Sequence, residues 1–143
     1  MRIASFALIA IVLVAACGGA ASAPTAAPAA TSEPTVSVAE SSTLGKILIA
    51  GTNKMTLYTY TKDTSDTSTC YDACATSWPA FTITGAPVAA AGMTGKLATS
   101  ARKDGTLQLT HNGKPLYFYN KDLKPGDTIG QNVGTVWFVV SNP

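Results

Sequence analysis

The sequence predicts an all-β fold made of two tandem copies of one four-stranded antiparallel unit, and three observations predict it. A seven-residue phrase occurs twice, as Leu57-Tyr58-Thr59-Tyr60-Thr61-Lys62-Asp63 and as Leu116-Tyr117-Phe118-Tyr119-Asn120-Lys121-Asp122, 59 residues apart. The same step carries Leu48 to Leu107, Asn53 to Asn112 and Trp78 to Trp137 without a gap, a register that chance would not hold. Short runs with strand character, bounded by Gly, Asn, Asp and Pro, recur through both copies. The expected architecture is a pseudo-twofold sandwich or small barrel in which helix is scarce.

The folded part does not begin at Met1. Residues 1–16 pair a short positive start, Met1-Arg2, with an apolar run from Ile3 to Ala16. Fourteen residues are too few to span a bilayer as a helix, so the run reads as an export signal. It ends in Val14-Ala15-Ala16-Cys17-Gly18, which looks like a lipobox. On that reading Cys17 becomes the acylated N-terminus, and chains such as palmitate anchor the protein to a bacterial membrane. The other reading is ordinary cleavage near Ala21-Ser22-Ala23. Residues 18–35 are Ala, Pro, Ser, Thr and Gly with one charge. Such a segment cannot bury enough apolar area to offset its ordering entropy, so it reads as a tether. The lipidated cysteine and tether are expected over 17–43 and the β-domain over 44–143, although the first strand can begin near Val36.

Repeat 1 is expected at about 36–81, with strands at Val36 to Ala39, Ile47 to Ala50, Leu57 to Thr61 and a short one from Trp78 to Phe81, where Pro79 marks an edge. Repeat 2 is expected at about 95–140, with strands at Lys96 to Ala101, Leu107 to Thr110, Pro115 to Asn120 and Val136 to Val140. Asn112-Gly113 is a strong hairpin signal, because a type I′ turn needs positive φ at both central residues. Thr69 with Asp72, and Thr128 with Gln131, have the spacing of weak capping boxes for a single helical turn.

The candidate chemistry is sparse. Ten Lys and Arg against eight Asp and Glu, with no basic run, exclude a nucleic-acid surface. There is no nucleophile elbow, no phosphate-cradling glycine loop and only one histidine, so neither catalysis nor a cofactor is expected. With Cys17 acylated, Cys70 and Cys74 are left to each other and most simply form a disulfide in an exported protein. The repeat step places Cys70 on Ile129 and Cys74 on Val133, which predicts that both positions face inward in both copies. The rival reading is an exported redox or copper-handling protein using Cys70 and Cys74, with His111 and Met55 as further soft ligands. Calcium between Asp63 and Asp66, or Asp122 and Asp127, is a further reading, although neither loop has the ligand density of a calcium motif. His111, beside the hairpin turn, is expected to be exposed.

On a strand, Tyr58, Tyr60 and Lys62 share one face and Leu57, Thr59 and Thr61 the other. Two readings of the motif follow. Four tyrosines rimmed by Asp63 and Asp122 would make a shelf for a glycan or an envelope protein. Alternatively, the tyrosines pack between the two halves, each hydroxyl finding an aspartate or a backbone partner.

Taken together, these residues resemble a family of bacterial lipoproteins and secreted proteins built from a repeat of unknown function and marked by a Y-x-[FWY]-x-x-D motif. Tyr58 to Asp63 and Tyr117 to Asp122 both fit that motif. The family's C-x-x-x-C-A-x-x-W-P segment stands at Cys70 to Pro79 and its G-D-x-x-G-Q segment at Gly126 to Gln131. Asp72, where glycine is common, and Lys114, where histidine is common, depart from the pattern. The resemblance implies an extracytoplasmic module of no assigned activity.

Overall fold

The computed structural model describes residues 33–143. The lipobox, Cys17 and nearly all of the tether lie outside the described residues. Among the described residues, seven strands, all paired antiparallel, make up the domain. They are β1 (Val36–Ser41), β2 (Gly45–Ala50), β3 (Tyr58–Tyr60), β4 (Leu97–Ala101), β5 (Leu107–His111), β6 (Lys114–Pro115) and β7 (Trp137–Val139). Among the described residues, helix is confined to α1 (Ala73–Ser77) and one 3-10 turn (Val133–Thr135). The fold is therefore all-β and duplicated. The strands form three small sheets, β1-β2, β3-β7 and β4-β5-β6, and not a closed barrel. Among the described residues, the first strand begins at Val36.

The two motif strands meet at the centre. Tyr58 N–H donates to the Tyr117 carbonyl at 2.9 Å, and Tyr117 N–H returns the bond to Tyr58 at 3.0 Å. This reciprocal pair marks the pseudo-twofold axis. On either side, each copy's motif strand pairs with the last strand of the other copy. Tyr58 faces Val139 and Tyr60 faces Trp137, while Tyr117 bridges Ala80 and Phe118 N–H donates to Pro79. The ladder ends alike on both sides, Thr61 N–H donating to Val136 and Asn120 N–H to Ser77. Neither copy could complete this ribbon alone. Pro79 has no N–H to give, so the Trp78 to Phe81 segment is held by isolated bridges and not as a regular strand.

Because this ribbon is covered on both faces, its alternating side chains feed two cores. Leu57 and Leu116 enter an aliphatic core with Val36, Leu48, Ala50, Leu109 and Val140. Tyr58 and Tyr117 enter an aromatic core with Cys70, Trp78, Tyr119 and Trp137. The alternation predicted for the motif is what separates the two.

The hairpins correct the gapless register. Leu48 N–H donates to Val140, and its counterpart, donating to Phe81, is Leu109 and not Leu107. Leu48 and Leu109 are 61 residues apart, two more than the step that holds at the motif. Repeat 1 spends those two residues in a longer turn before Thr56. The tight turn of repeat 2 is the predicted one, with positive φ at Asn112 (50°) and Gly113 (74°). In consequence Leu107, matched by the gapless step to the fully buried Leu48, is 40% exposed.

A second slip lies in the loops after the motif. Asp63 accepts from Thr69 N–H at 2.8 Å, while Asp122 accepts from Ile129 N–H at 3.0 Å, so Thr69 corresponds to Ile129 there. The residue matched with the buried Cys70 is Gly130. Ile129 is 57% exposed, against the expectation that it faces inward. Gly130 holds the slot because a Cβ there would lie 2.7 Å from the Tyr58 ring and 2.9 Å from Trp78. Val133 does pack against the aromatic core. The capping boxes do not form: Asp72 precedes α1 without a side-chain cap bond, Thr69 is taken by Asp63, and the Gln131 side-chain Oε1 accepts from Val139 N–H.

Candidate functional site

The motif residues converge on the pseudo-twofold axis, and the pairing runs between copies. The Tyr58 hydroxyl donates to Asp122 Oδ2 at 2.6 Å, and the Tyr117 hydroxyl donates to Asp63 Oδ2 at 2.6 Å. Each tyrosine thus closes on the aspartate of the other repeat. Both tyrosines are fully buried, and Asp63 and Asp122 are nearly so. The carboxylates are in turn held by their own loops: Asp63 Oδ1 accepts from the Thr69 N–H and hydroxyl, and Asp122 Oδ1 from Ile129 N–H. The strand ends on aspartate because its carboxylate must reach back over the axis while the following loop supplies donors to fix it.

Around this clasp four further aromatic rings form a single stack. Its order is Tyr60, Trp137, Trp78, Tyr119, with centroids 4.2, 3.9 and 4.1 Å apart and planes inclined by 12°, 3° and 20°. Tyr58 meets Trp78 edge-on at 5.4 Å, and Tyr117 meets Trp137 at 5.1 Å. Such pairs are worth about 0.5–1.5 kcal/mol each beyond the area they bury. Four tyrosines therefore pack in the interior and do not form an open shelf; only Tyr60 keeps partial exposure.

Cys70 and Cys74 form the disulfide. Cys70 lies ahead of α1 and Cys74 within it, so the bridge does not join two cysteines of one regular helical turn. A five-residue helix is too short to persist unaided, and the bridge ties it to the aromatic core. Among the described residues there is no group of three or more His, Cys, Asp and Glu side chains placed to share a metal ion. His111 is buried, contrary to expectation. Its Nε2 donates to the Thr94 carbonyl at 2.8 Å, since it closes the β4-β5 pairing opposite Leu97.

Sequence reasoning missed Arg102. It stands beside Lys103, Asp104 and Gly105, a context that reads as a solvated turn. The guanidinium is instead buried, donating to Ser68 Oγ at 2.9 Å, Gln108 Oε1 at 2.6 Å and the Cys70 carbonyl at 3.0 Å. The Tyr117 hydroxyl also contacts Ser68 Oγ at 2.8 Å, so Arg102 is linked through Ser68 to the clasp. Repeat 1 has no counterpart, for at the 61-residue step of the hairpins the residue matched with Arg102 is Ser41. An open surface hollow of about 740 Å³, lined by Pro34, Phe81, Ile83 and Leu107 among others, involves none of the motif residues.

Burial, and then the bonded carboxylate, pushes the Tyr58 and Tyr117 phenols up from their usual range. Burial likewise raises Asp122 above an ordinary carboxylate, against the lowering effect of the Tyr58 bond. The folded state then holds the Asp122 proton more tightly than the unfolded chain. The stability this group adds is complete below about pH 4 and is lost as pH rises through its raised value. Denaturant midpoints from acid to neutral pH should show the wild type losing ground to Asp122→Asn over that window; a constant difference would contradict it. The phenols act in the same sense above about pH 10, where only the unfolded chain ionises.

No curated protein and no solved structure matches the chain. A family model described as a secreted repeat of unknown function matches it twice, over residues 39–82 and 98–141. The two matched segments are the two structural repeats, each containing one Tyr and one Asp of the clasp. Proteins of that description act outside the cytoplasm. With two tandem matches that span most of the folded part, the chain belongs to the Lipoprotein_15 family of secreted repeats of unknown function.

Proposed function

We propose that this protein is a lipid-anchored, non-catalytic module of a bacterial envelope, held to the membrane through acylated Cys17 and presenting its β-domain as a binding or structural unit. The observation that carries the non-catalytic part is the reciprocal clasp: the buried tyrosine and aspartate of each motif spend their hydrogen bonds on those of the other. A buried phenol on a buried carboxylate is a fastening between two half-domains, and these four side chains are turned to each other and not to a substrate. The bridged Cys70 and Cys74 favour this reading over the copper-handling one, which needs free thiolates.

Anchoring is supported by Val14-Ala15-Ala16-Cys17 at the end of the apolar run and by the long Pro-rich segment before Val36. Two or three acyl chains are enough for durable attachment, because each buried methylene contributes about 0.8 kcal/mol. Cys17→Ala should move the protein from the membrane fraction to the soluble one and abolish incorporation of labelled palmitate. A wild-type chain that begins after Cys17 and carries no lipid would overturn the anchoring.

A further inference from the structure

Packing alone would be served as well by phenylalanine at positions 58 and 117, without burying two phenols and two carboxylates. Desolvating a carboxylate is costly unless it is well bonded, so the placement of these groups calls for a reason beyond volume. The order of the rings suggests one. Trp137 and Trp78 lie face to face at 3.9 Å in the middle of the stack, with Tyr60 and Tyr119 on the outer faces. At such separations the π systems overlap, and an electron vacancy on one ring passes readily to the next. The two phenols that branch edge-on from the indoles are the two with a carboxylate 2.6 Å from the hydroxyl. Indole can lose an electron and keep its proton for a time, whereas phenol must shed its proton as it is oxidised. In an apolar interior that requires an acceptor already in place.

We propose that the aromatic interior is a one-electron relay, in which Trp78 and Trp137 carry the vacancy and Tyr58 and Tyr117 trap it by passing their protons to Asp122 and Asp63. The reaction partner is a one-electron oxidant of the envelope, a radical or a high-potential metal centre, that meets the partly exposed Tyr60 end. It removes one electron from the stack, is itself reduced, and leaves an indole radical cation. Tyr58 then gives one electron to Trp78 and its O–H proton to Asp122 Oδ2. The products are neutral indole, a neutral tyrosyl radical and a protonated Asp122. Tyr117, Trp137 and Asp63 do the same across the axis. An electron from any reductant, with return of the proton, restores the start. The fifth tyrosine, Tyr71, is set apart: Arg102 and Lys103 lie over its ring at 4.4 and 4.9 Å, and cations on a π face oppose a positive vacancy there. This inference does not depend on how the protein is anchored.

The test is flash oxidation of the full chain by tris(bipyridyl)ruthenium with methyl viologen as quencher, followed by transient absorbance. Indolyl signal should convert to tyrosyl signal, more slowly in D2O than in H2O. In the Asp63→Asn/Asp122→Asn variant, which keeps side-chain size and an acceptor oxygen but lacks the proton acceptor, tyrosyl formation should slow by about 100-fold, the low end of what a positioned proton acceptor contributes. Equal wild-type rates in H2O and D2O would overturn the proposal without recourse to any variant. So would a tyrosyl signal that survives Tyr58→Phe/Tyr117→Phe undiminished.

Discussion

Replacing Trp137 by alanine is expected to cost about 3–5 kcal/mol, the range for deleting a large buried aromatic ring. Trp137 is 4% exposed and is the ring through which the two halves touch most closely. It stacks on Trp78 and Tyr60 and receives the edge of Tyr117, so the variant loses three aromatic contacts and leaves a void that the paired strands cannot close. Since small domains are stable by only about 5–15 kcal/mol, the variant should have a much lower denaturant midpoint. Trp137→Phe, which keeps a ring in the stack, should recover part of the loss. A Trp137→Ala midpoint within experimental error of wild type would mean that the stack is not the joint between the repeats.

Asp63→Ala should be nearly as damaging, at about 2–4 kcal/mol, because its carboxylate serves three donors at once and buried donors left without a partner cost about 1–3 kcal/mol each. Tyr117 O–H, Thr69 N–H and the Thr69 hydroxyl all converge on it. The effect should exceed that of Asp66→Ala, a neighbouring exposed carboxylate, by a wide margin in thermal or denaturant unfolding. Comparable losses at the two positions would show that Asp63 acts only through surface charge.

Much of this was legible in the residues themselves. The repeated phrase announced the duplication, period-two alternation split Leu57 from Tyr58 onto opposite faces, and Asn112-Gly113 named its own turn. The pairing of the two cysteines followed from their number and from export. What stayed hidden has a physical cause in each case. A repeat step is a statement about sequence, and it does not record that one hairpin has a longer turn, so Leu48 was matched with Leu107 when its counterpart in space is Leu109. Ile129 looked like a core residue because its match was Cys70, yet the loop slips by one and Gly130 fills the space under Tyr58 and Trp78. Burial of Arg102 and His111 depends on acceptors far along the chain, Ser68 and the Cys70 carbonyl for one and the Thr94 carbonyl for the other, and no local pattern encodes them. The partner of each tyrosine was open for the same reason: sequence alone could not say whether Tyr58 would close on the aspartate of its own copy or of the other.

That crossing of partners is the centre of the account, and a double-mutant cycle measures it directly. Unfolding free energies of Tyr58→Phe, Asp122→Asn and the double variant should show a coupling of about 0.5–3 kcal/mol, as for side chains in direct contact. The same cycle with Tyr58→Phe and Asp63→Asn should show a clearly smaller one. A larger coupling to Asp63 than to Asp122 would mean that each motif closes within its own repeat, and the reciprocal clasp would be wrong.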